Sequence, residues 1–434
     1  IVKTVVVIAA LAAALAGGVY LGRASKSDLV ITSSAGGAEY SGGFKAEGEA
    51  AEKVKAAASA GSIKSVAGPP GPHSVVVKDG ESILQAVKNA EPGTTIRVMP
   101  GTYSETVYID KDNIRIIGVI EAGRRPVLDG KKQLNDAILY SGNNFVVENL
   151  EIRNYKGNGV MGQAGNNFEI RNNVIVDTGV YGIFPQLGQN GVVEHNVVSG
   201  IEDAAIYVGM SDNVHVAHND VFDSVAGIEI ENSRHAIVEN NYVHNNTGGI
   251  LAFVTPGLPI KTTFDVIIRH NFIVGNNHDN FGAPGSTVAG IPPGTGVLIM
   301  AADDVVIEGN IISDNKTAGI LVTDHANAAN ITVDPQSEPN SDRVKILDNT
   351  MLNNGYDTIA DVKALMLTEL KQGNPDIVRV GPSPGSCILN RERYVTVGVK
   401  DFANCDFTNT AATETYLLPP VPARVIAPDE RGKI

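Results

Sequence analysis

NNFVVENLEI, which starts at Asn143, is the first of eight similar segments in this chain. The others are NNFEIRNNVI (Asn166), QNGVVEHNVV (Gln189), DNVHVAHNDV (Asp212), RHAIVENNYV (Arg234), DVIIRHNFIV (Asp265), DDVVIEGNII (Asp303) and SDRVKILDNT (Ser341). The first four steps between their starts are 23, 23, 23 and 22 residues, and later steps are longer because loops are inserted. A fixed period in the twenties is typical of a solenoid.

The content of each repeat indicates which solenoid this is. The Leu-x-x-Leu-x-Leu frame of a leucine-rich repeat does not occur. Each unit instead has a short β-branched run, an Asn, a second apolar pair, turn residues and a closing strand, of which GIFPQ, AIYVG, GIEIE, GILAF, GVLIM and GILVT are examples. Three short strands per unit, each with alternating apolar residues, predict an all-β fold: a right-handed parallel β-helix.

One Asn recurs at the same place in successive units. Stacked about 4.8 Å apart, such side chains can bond to each other and to turn backbone that would otherwise lack partners. We interpret this column as a structural ladder, formed by Asn173, Asn196, Asn219, Asn241, Asn271, Asn310 and Asn349.

These repeats resemble those of the pectate-lyase-like β-helix superfamily, which includes carbohydrate-binding and sugar-hydrolase repeat proteins and periplasmic copper-maturation proteins. HSVVVKDGESILQAVKNAEPGTTIRVMPGTYSETVYI (residues 73–109) resembles their N-terminal cap and first coil. The resemblance covers residues 73–356 and implies the fold. It does not imply one activity, because the superfamily holds lyases, hydrolases, epimerases and proteins that are not enzymes.

Composition agrees with a solenoid. The 434 residues are 43% hydrophobic and include 46 Gly, 21 Pro and no Trp, which suits one long, turn-rich domain. The net charge of −14 argues against nucleic acid as a partner.

The N-terminus has an apolar, uncharged run from Thr4 to Leu21, with Lys3 before it and Arg23 after it. Residues 1–23 are therefore a signal anchor that forms a transmembrane helix, or a cleaved signal peptide, and we favour the anchor. Residues 24–72 are rich in Ala, Gly and Ser without a periodic apolar face, which predicts a flexible linker.

The β-helix itself is predicted over residues 73–356, with a helical cap at each end. ESILQAVKNA (Glu81–Ala90) has the spacing of a short amphipathic helix, and residues 357–373 predict a C-terminal capping helix. Residues 374–434 are predicted to be irregular. They hold the only cysteines, Cys387 and Cys405, for which a disulfide is expected in an exported protein and a metal-binding pair is the alternative.

The closing strands carry the candidate chemistry, because related enzymes use the groove along them. Glu229 and Glu231 are two apart on one strand, about 7 Å between Cα atoms, with Asp203 and Tyr207 expected nearby. This spacing suits the two carboxyl groups of an inverting glycoside hydrolase or a calcium site, and a solvated acidic face is the alternative. The basic residue that related lyases place in this groove is missing, and Arg234 and Lys261 are only loop candidates nearby.

The same strands become apolar in the later coils, where long inserts fall at residues 255–263, 275–295 and 324–340. The outward positions there predict one exposed stripe, which the C-terminal segment, the long loops or another protein would cover. The stripe consists of Leu251, Phe253, Leu298, Met300 and Leu321.

Two histidines in the repeats are candidate metal ligands. His195 and His218 stand at the same place in adjacent repeats, just before the Asn column, and with Asp220 they could form a weak transition-metal site. The alternative is that they are outward turn residues.

Two functions remain open. The leading hypothesis is a membrane-anchored scaffold or accessory subunit of an envelope complex, with its solenoid in the periplasm or outside the cell and a protein partner bound to the apolar stripe. The rival is a carbohydrate-active enzyme, a hydrolase, lyase or epimerase, that acts on a polysaccharide around Glu229 and Glu231. Calcium is the metal that an acidic groove would take.

Overall fold

The computed structural model describes residues 63–405, whose strands form three sheets of 13, 11 and 10 strands. Each sheet takes one strand per coil, and the strands pair in parallel with the equivalent strands of the coils before and after. The architecture is therefore a parallel β-helix, as the repeats predict.

Sheet 1 comprises Ser74–Val77, Thr95–Val98, Arg115–Gly118, Val146–Glu148, Glu169–Arg171, Gln189–Glu194, Asp212–Ala217, Arg234–Glu239, Thr263–Arg269, Ala302–Glu308, Lys345–Leu347, Cys387–Ile388 and Ala403–Asn404. Sheet 2 comprises Val107–Ile109, Ile138–Tyr140, Val160–Gln163, Tyr181–Gln186, Ala204–Gly209, Ala226–Glu231, Gly248–Phe253, Thr295–Met300, Ala318–Thr323, Ile377–Arg379 and Thr396–Val397. Sheet 3 comprises Thr102–Tyr103, Val127–Asp129, Glu151–Arg153, Val174–Val176, Val197–Ser199, Asp220–Phe222, Tyr242–His244, Phe272–Val274, Ile311–Ser313 and Thr350–Leu352.

The register stacks like residues over like. In sheet 2, for example, one inward column is fully buried and runs through Ile183, Ile206, Ile228, Ile250, Val297 and Ile320. Because side chains alternate along each strand, every inward column is matched by an outward one on the same sheet. The outward column of sheet 2 carries the candidate site.

The Asn column lies inside the turn between sheets 1 and 3. Each Nδ2 donates to the Oδ1 of the next Asn at 2.9–3.1 Å, from Asn173 through to Asn349. Each Oδ1 from Asn196 onward also accepts the backbone N–H of the Asn before it, as Asn219 does from Asn196 at 3.0 Å. The side chains thus satisfy backbone groups that the turn would otherwise leave unpaired.

A second ladder, not anticipated from the sequence, runs at the turn between sheets 3 and 2. There Asn246, Asn276, Asn315 and Asn354 are linked at 3.0–3.2 Å. The signal was in the printed sequence, because each of these residues follows a first-ladder Asn by five positions.

The helix α1 (Ile83–Asn89) lies beside the first coils with Ile83 and Val87 buried. Its N-cap is Ser82, whose hydroxyl accepts the N–H of Gln85, and the Glu105 carboxylate accepts the N–H groups of Ile83 and Leu84. Three backbone donors of the first turn are satisfied in this way, and the carboxylate complements the helix dipole.

The coil continues beyond residue 356, which differs from the irregular segment expected after 373. The helix α2 (Ala360–Thr368) interrupts the coil, and four short strands then extend sheets 2 and 1 to Asn404. Cys387 and Cys405 form a disulfide that joins the last two strands of sheet 1. The helix at 357–373 is thus followed by further coils and does not end the solenoid.

The last part of the expected linker is bound to the outer face of sheet 1. The Glu169 carboxylate accepts the N–H groups of Val66 and Ala67, and Glu194 accepts that of Ile63 at 3.0 Å. Arg171, between these acids, forms ion pairs with both. The expected anchor at residues 1–23 lies outside the described residues. Within 63–405, no helix combines the length and apolar character needed to cross a bilayer.

Candidate functional site

The three predicted acids meet on the outer face of sheet 2. Glu229 lies between Tyr207 and Leu251 of the neighbouring strands, and Glu231 lies between Gly209 and Phe253. Asp203 is at the bend before the strand Ala204–Gly209, where its carbonyl accepts the N–H of Ala226. The structure therefore brings together the residues that the sequence proposed, one coil apart.

These carboxyl groups are far from an ordinary solvated acidic face. Burial raises the pKa of Glu231 to about 7 and that of Asp203 to about 7. Glu229 is 2% exposed, and burial together with the charge of Asp203 holds its pKa well above the usual range. Its Oε1 accepts no hydrogen bond from the described residues. Burial and the neighbouring charge thus favour the protonated form of Glu229, while the pKa values of the other two carboxyl groups lie near neutral pH.

An aromatic cluster borders the acids on the side of the earlier coils. Tyr181, Phe184 and Tyr207 have ring centroids 4.4–4.6 Å apart, and Phe184 and Tyr207 are stacked. Gly209 makes room for them, since a Cβ there would come within 3.0 Å of both rings. The sequence prediction included Tyr207 but missed Tyr181, whose half-buried side chain reaches the same cluster from one coil away.

The apolar stripe on the outer face of sheet 2 is covered by other parts of the chain. Its five residues are only 2–7% exposed: Leu251, Phe253, Leu298, Met300 and Leu321. They pack with Val288 and Ile291 from the 275–295 insert and with Val362 of α2, and Ala328 of the 324–340 insert joins the same cluster. The chain's own inserts therefore cover the stripe, and the C-terminal segment that was also considered contributes Val378 and Val397.

A cavity of about 320 Å³ remains between the stripe and its cover. The stripe forms its floor, and the walls come from the two inserts and α2 through residues such as Val288, Ile291, Ala328 and Val362. Glu229 and Glu231 border this floor directly, because they pair with Leu251 and Phe253. The sequence shows where the inserts are, but it contains no repeating pattern from which the residues that they cover could be predicted.

The histidine site is corrected by the structure. His195 and His218 do stack, with centroids 4.9 Å apart, but Asp220 pairs with His244 at 3.0 Å. Within residues 63–405, no group of three or more His, Cys, Asp or Glu side chains could hold a metal ion, including the calcium considered for the acidic groove.

The backbone explains the column in which these histidines stand. Their φ angles are +56°, and the equivalent residues in other coils, among them Asn172, Asn240, His270, Gly309 and Asp348, also have positive φ. Gly, Asn, Asp and His are the residue types that tolerate this conformation best.

The two basic candidates are occupied elsewhere. Arg234 belongs to sheet 1 and pairs with Asp212 at 3.3 Å, and Lys261 pairs with Asp334 at 2.7 Å. Neither is available as the base of a lyase.

The comparisons with known proteins agree with the architecture. A family model described as "Right handed beta helix region" matches residues 131–264 and 253–360, which together are just over half of the chain. No curated protein sequence matches.

Several solved structures are similar in fold. DFA-IIIase from Arthrobacter chlorophenolicus A6, without its lid and in complex with GF2, is 12% identical with a TM-score of 0.51, over 71% of this chain and 82% of that one. An alginate lyase from Paenibacillus sp. FPU-7 is 14% identical with a TM-score of 0.47, over 66% and 99% of the two chains. The A-module of the Azotobacter vinelandii mannuronan C-5 epimerase AlgE4 is 15% identical with a TM-score of 0.43, over 74% and 84%. At these identities the likeness concerns the fold alone.

Proposed function

The chain belongs to the right-handed β-helix family, and from that premise we propose that it is a carbohydrate-active enzyme that hydrolyses a neutral glycoside. The family does not decide the activity, because one fold supports many chemistries. The observation that carries the proposal is the cluster of Asp203, Glu229 and Glu231, three carboxyl groups with raised pKa values beside an aromatic surface. Strongly perturbed acids in one place are a recognised mark of catalytic sites.

The pKa differences suggest a role for each acid. Glu229, whose pKa is raised well above its usual range, would donate its proton to the glycosidic oxygen as the bond to the anomeric carbon breaks. Glu231, ionised above about pH 7, would accept a proton from the water that attacks that carbon. Their Cα atoms are about 7 Å apart on the strand, which fits the separation of inverting enzymes.

Asp203 would act as a positioning residue. Its negative charge raises the pKa of Glu229 and, after burial, also that of Glu231. An ionised Asp203 therefore keeps the acid protonated in the pH range where the base is charged.

The aromatic cluster supports a sugar as the substrate. Tyr181 is half-buried and rests on the buried rings of Phe184 and Tyr207, so it offers an aromatic face with a phenol group at its edge, which suits the C–H face and the hydroxyl rim of a sugar ring. The half-buried Tyr181 and Asp203 leave the cluster reachable from solvent.

The charge of the site favours a neutral substrate. Asp203 and Glu231 would repel a uronate when ionised, and Arg234 and Lys261 are held in ion pairs with other residues. A scaffold role is less well supported than it was from sequence, since the stripe proposed for a protein partner is covered by the chain itself.

An exported location is part of the proposal. The Cys387–Cys405 disulfide supports an oxidising compartment such as the periplasm or the cell exterior.

The test is a screen of neutral and acidic oligosaccharides and polysaccharides, followed by variants on any substrate that is cleaved. Glu229→Gln and Glu231→Gln should each lower turnover by about 10²–10⁴-fold without loss of fold. Glu202→Gln is the matched control, because Glu202 is an exposed carboxylate next to Asp203. The proposal is wrong if no member of the panel is cleaved, or if both variants keep full activity.

A further inference from the structure

The cavity on sheet 2 has an apolar interior and a polar mouth. Its floor residues Leu251, Phe253 and Leu298 are buried, as are Val288 and Val362 in its walls. Of the polar residues that line it, Asn327 and Asp361 are exposed, Thr287 is half-buried and Thr323 is buried. Such a distribution fits a ligand whose apolar part enters and whose polar part stays at the opening.

The shape of the floor indicates an elongated ligand. Leu251, Leu298 and Leu321 stand at equivalent positions of three successive strands, so the floor extends across about 10 Å at the usual strand spacing. Most of the lining side chains are aliphatic, and Met300 adds a flexible one that can adapt to a chain. The volume of about 320 Å³ is at the lower end for ligand pockets.

Charge excludes one class of amphiphile. Asp361 is the one ionisable residue among those described as lining the cavity, and it stands near the mouth. A carboxylate or phosphate head group would meet a negative charge with no cation to balance it, so a neutral head group fits better.

We propose that this cavity binds the alkyl chain of a neutral amphiphile, with the polar head group at the mouth beside Asn327 and Asp361. The chain would lie on the floor formed by Leu251, Leu298 and Leu321. Alkyl binding at this place does not rest on the proposed function.

The experiment is a calorimetric titration of the full chain with butan-1-ol, hexan-1-ol and octan-1-ol. If the chain is buried in the cavity, affinity should rise about fourfold with each added methylene group. Affinity that does not depend on alkyl length would overturn the proposal.

Variants locate the binding. Ala329 is exposed and lines the mouth, so Ala329→Trp should block entry and weaken octan-1-ol binding at least tenfold. Ala326→Trp, on the same insert and exposed but not among the lining residues, should bind like the parent. Equal weakening by both, with folding verified by circular dichroism, would place the alcohol elsewhere.

A second ligand pair separates this proposal from the proposed function. If both are correct, n-octyl β-D-glucopyranoside should bind more tightly than methyl β-D-glucopyranoside, and Ala329→Trp should remove the difference. Alcohols that bind in a protein that cleaves no glycoside would leave the cavity assigned and the enzyme proposal rejected. Glycoside cleavage with no alkyl binding would support the enzyme proposal and reject the assignment of the cavity.

Discussion

Glu229 and Leu251 lie side by side on neighbouring strands of sheet 2, so a buried carboxyl group borders the first side chain of an apolar cavity floor. Burial is the largest cause of the raised pKa values, so the apolar surroundings and the acid chemistry are physically connected.

Removal of one rung should destabilise the coil. In Asn219→Leu, the backbone N–H and Nδ2 of Asn196 lose their acceptor, and the Val193 carbonyl loses its donor. We expect a loss of about 1–3 kcal/mol in the free energy of unfolding, measured by denaturant titration. Asn89→Leu is the control, because Asn89 is exposed and accepts a single side-chain bond from Gln85; it should change stability by less than about 0.5 kcal/mol. Equal effects would argue against the ladder as a source of stability.

The raised pKa of Glu231 predicts a pH-dependent stability. The folded protein retains this proton up to about pH 7, whereas the unfolded chain loses it near 4.5. Stability contributed by the group is therefore lost as the pH rises from about 4.5 to 7. The Glu231→Gln variant should gain on the parent by up to about 3 kcal/mol between pH 4.5 and pH 8. Unfolding curves of the two proteins at both pH values test this, and a gap independent of pH would contradict it.

Asp203→Asn should change the pH profile of turnover. Without the charge of Asp203, the pKa of Glu229 falls, so the acid loses its proton at lower pH. The alkaline limb of kcat against pH, set by Glu229, should move to lower pH. The acidic limb, set by Glu231, should also move to lower pH, because the charge of Asp203 raises that pKa as well. A purely structural role for Asp203 would lower kcat with both limbs unmoved.

The disulfide should stabilise the last coils. Cys387 and Cys405 are 18 residues apart in sequence, and closing a loop of that length is worth about 3 kcal/mol in the chain-entropy model. The double variant Cys387→Ser/Cys405→Ser should unfold at correspondingly lower denaturant concentration. A reductant should destabilise the parent and leave the double variant unchanged, and a parent insensitive to complete reduction would contradict the prediction.

The fold was predictable because every coil needs the same residue types at the same positions. Each turn needs an amide at the ladder position, a residue that tolerates positive φ just before it and β-branched side chains inside, so Asn219 and its equivalents recur in the sequence. The last coils were missed because strands such as Cys387–Ile388 and Thr396–Val397 are two residues long and carry no alternation.

The site was predictable in identity but not in environment. Alternation along the strand correctly places Glu229 and Glu231 on the outer face, with Tyr207 as the direct neighbour of Glu229. The sequence carries no signal for their burial. For the stripe, the long loops were one of three covers that the sequence left open, and it could not choose between them because Val288 and Val362 are distant in sequence from the Leu251 that they help to cover.

Along the Asn ladder, the number of residues per coil varies while the spacing between coils does not. The steps between ladder residues are 22 or 23 residues up to Asn241 and then 30, 39 and 39 up to Asn349, yet the rungs stay at 2.9–3.1 Å. The coils thus stay about 4.8 Å apart along the solenoid axis, and inserts add surface without changing this spacing. Removing one complete 23-residue coil, from Gln189 to Ser211, would delete Asp203 and Tyr207 and bring Tyr181 and Phe184 about 4.8 Å closer to Glu229, with the stacking on either side preserved.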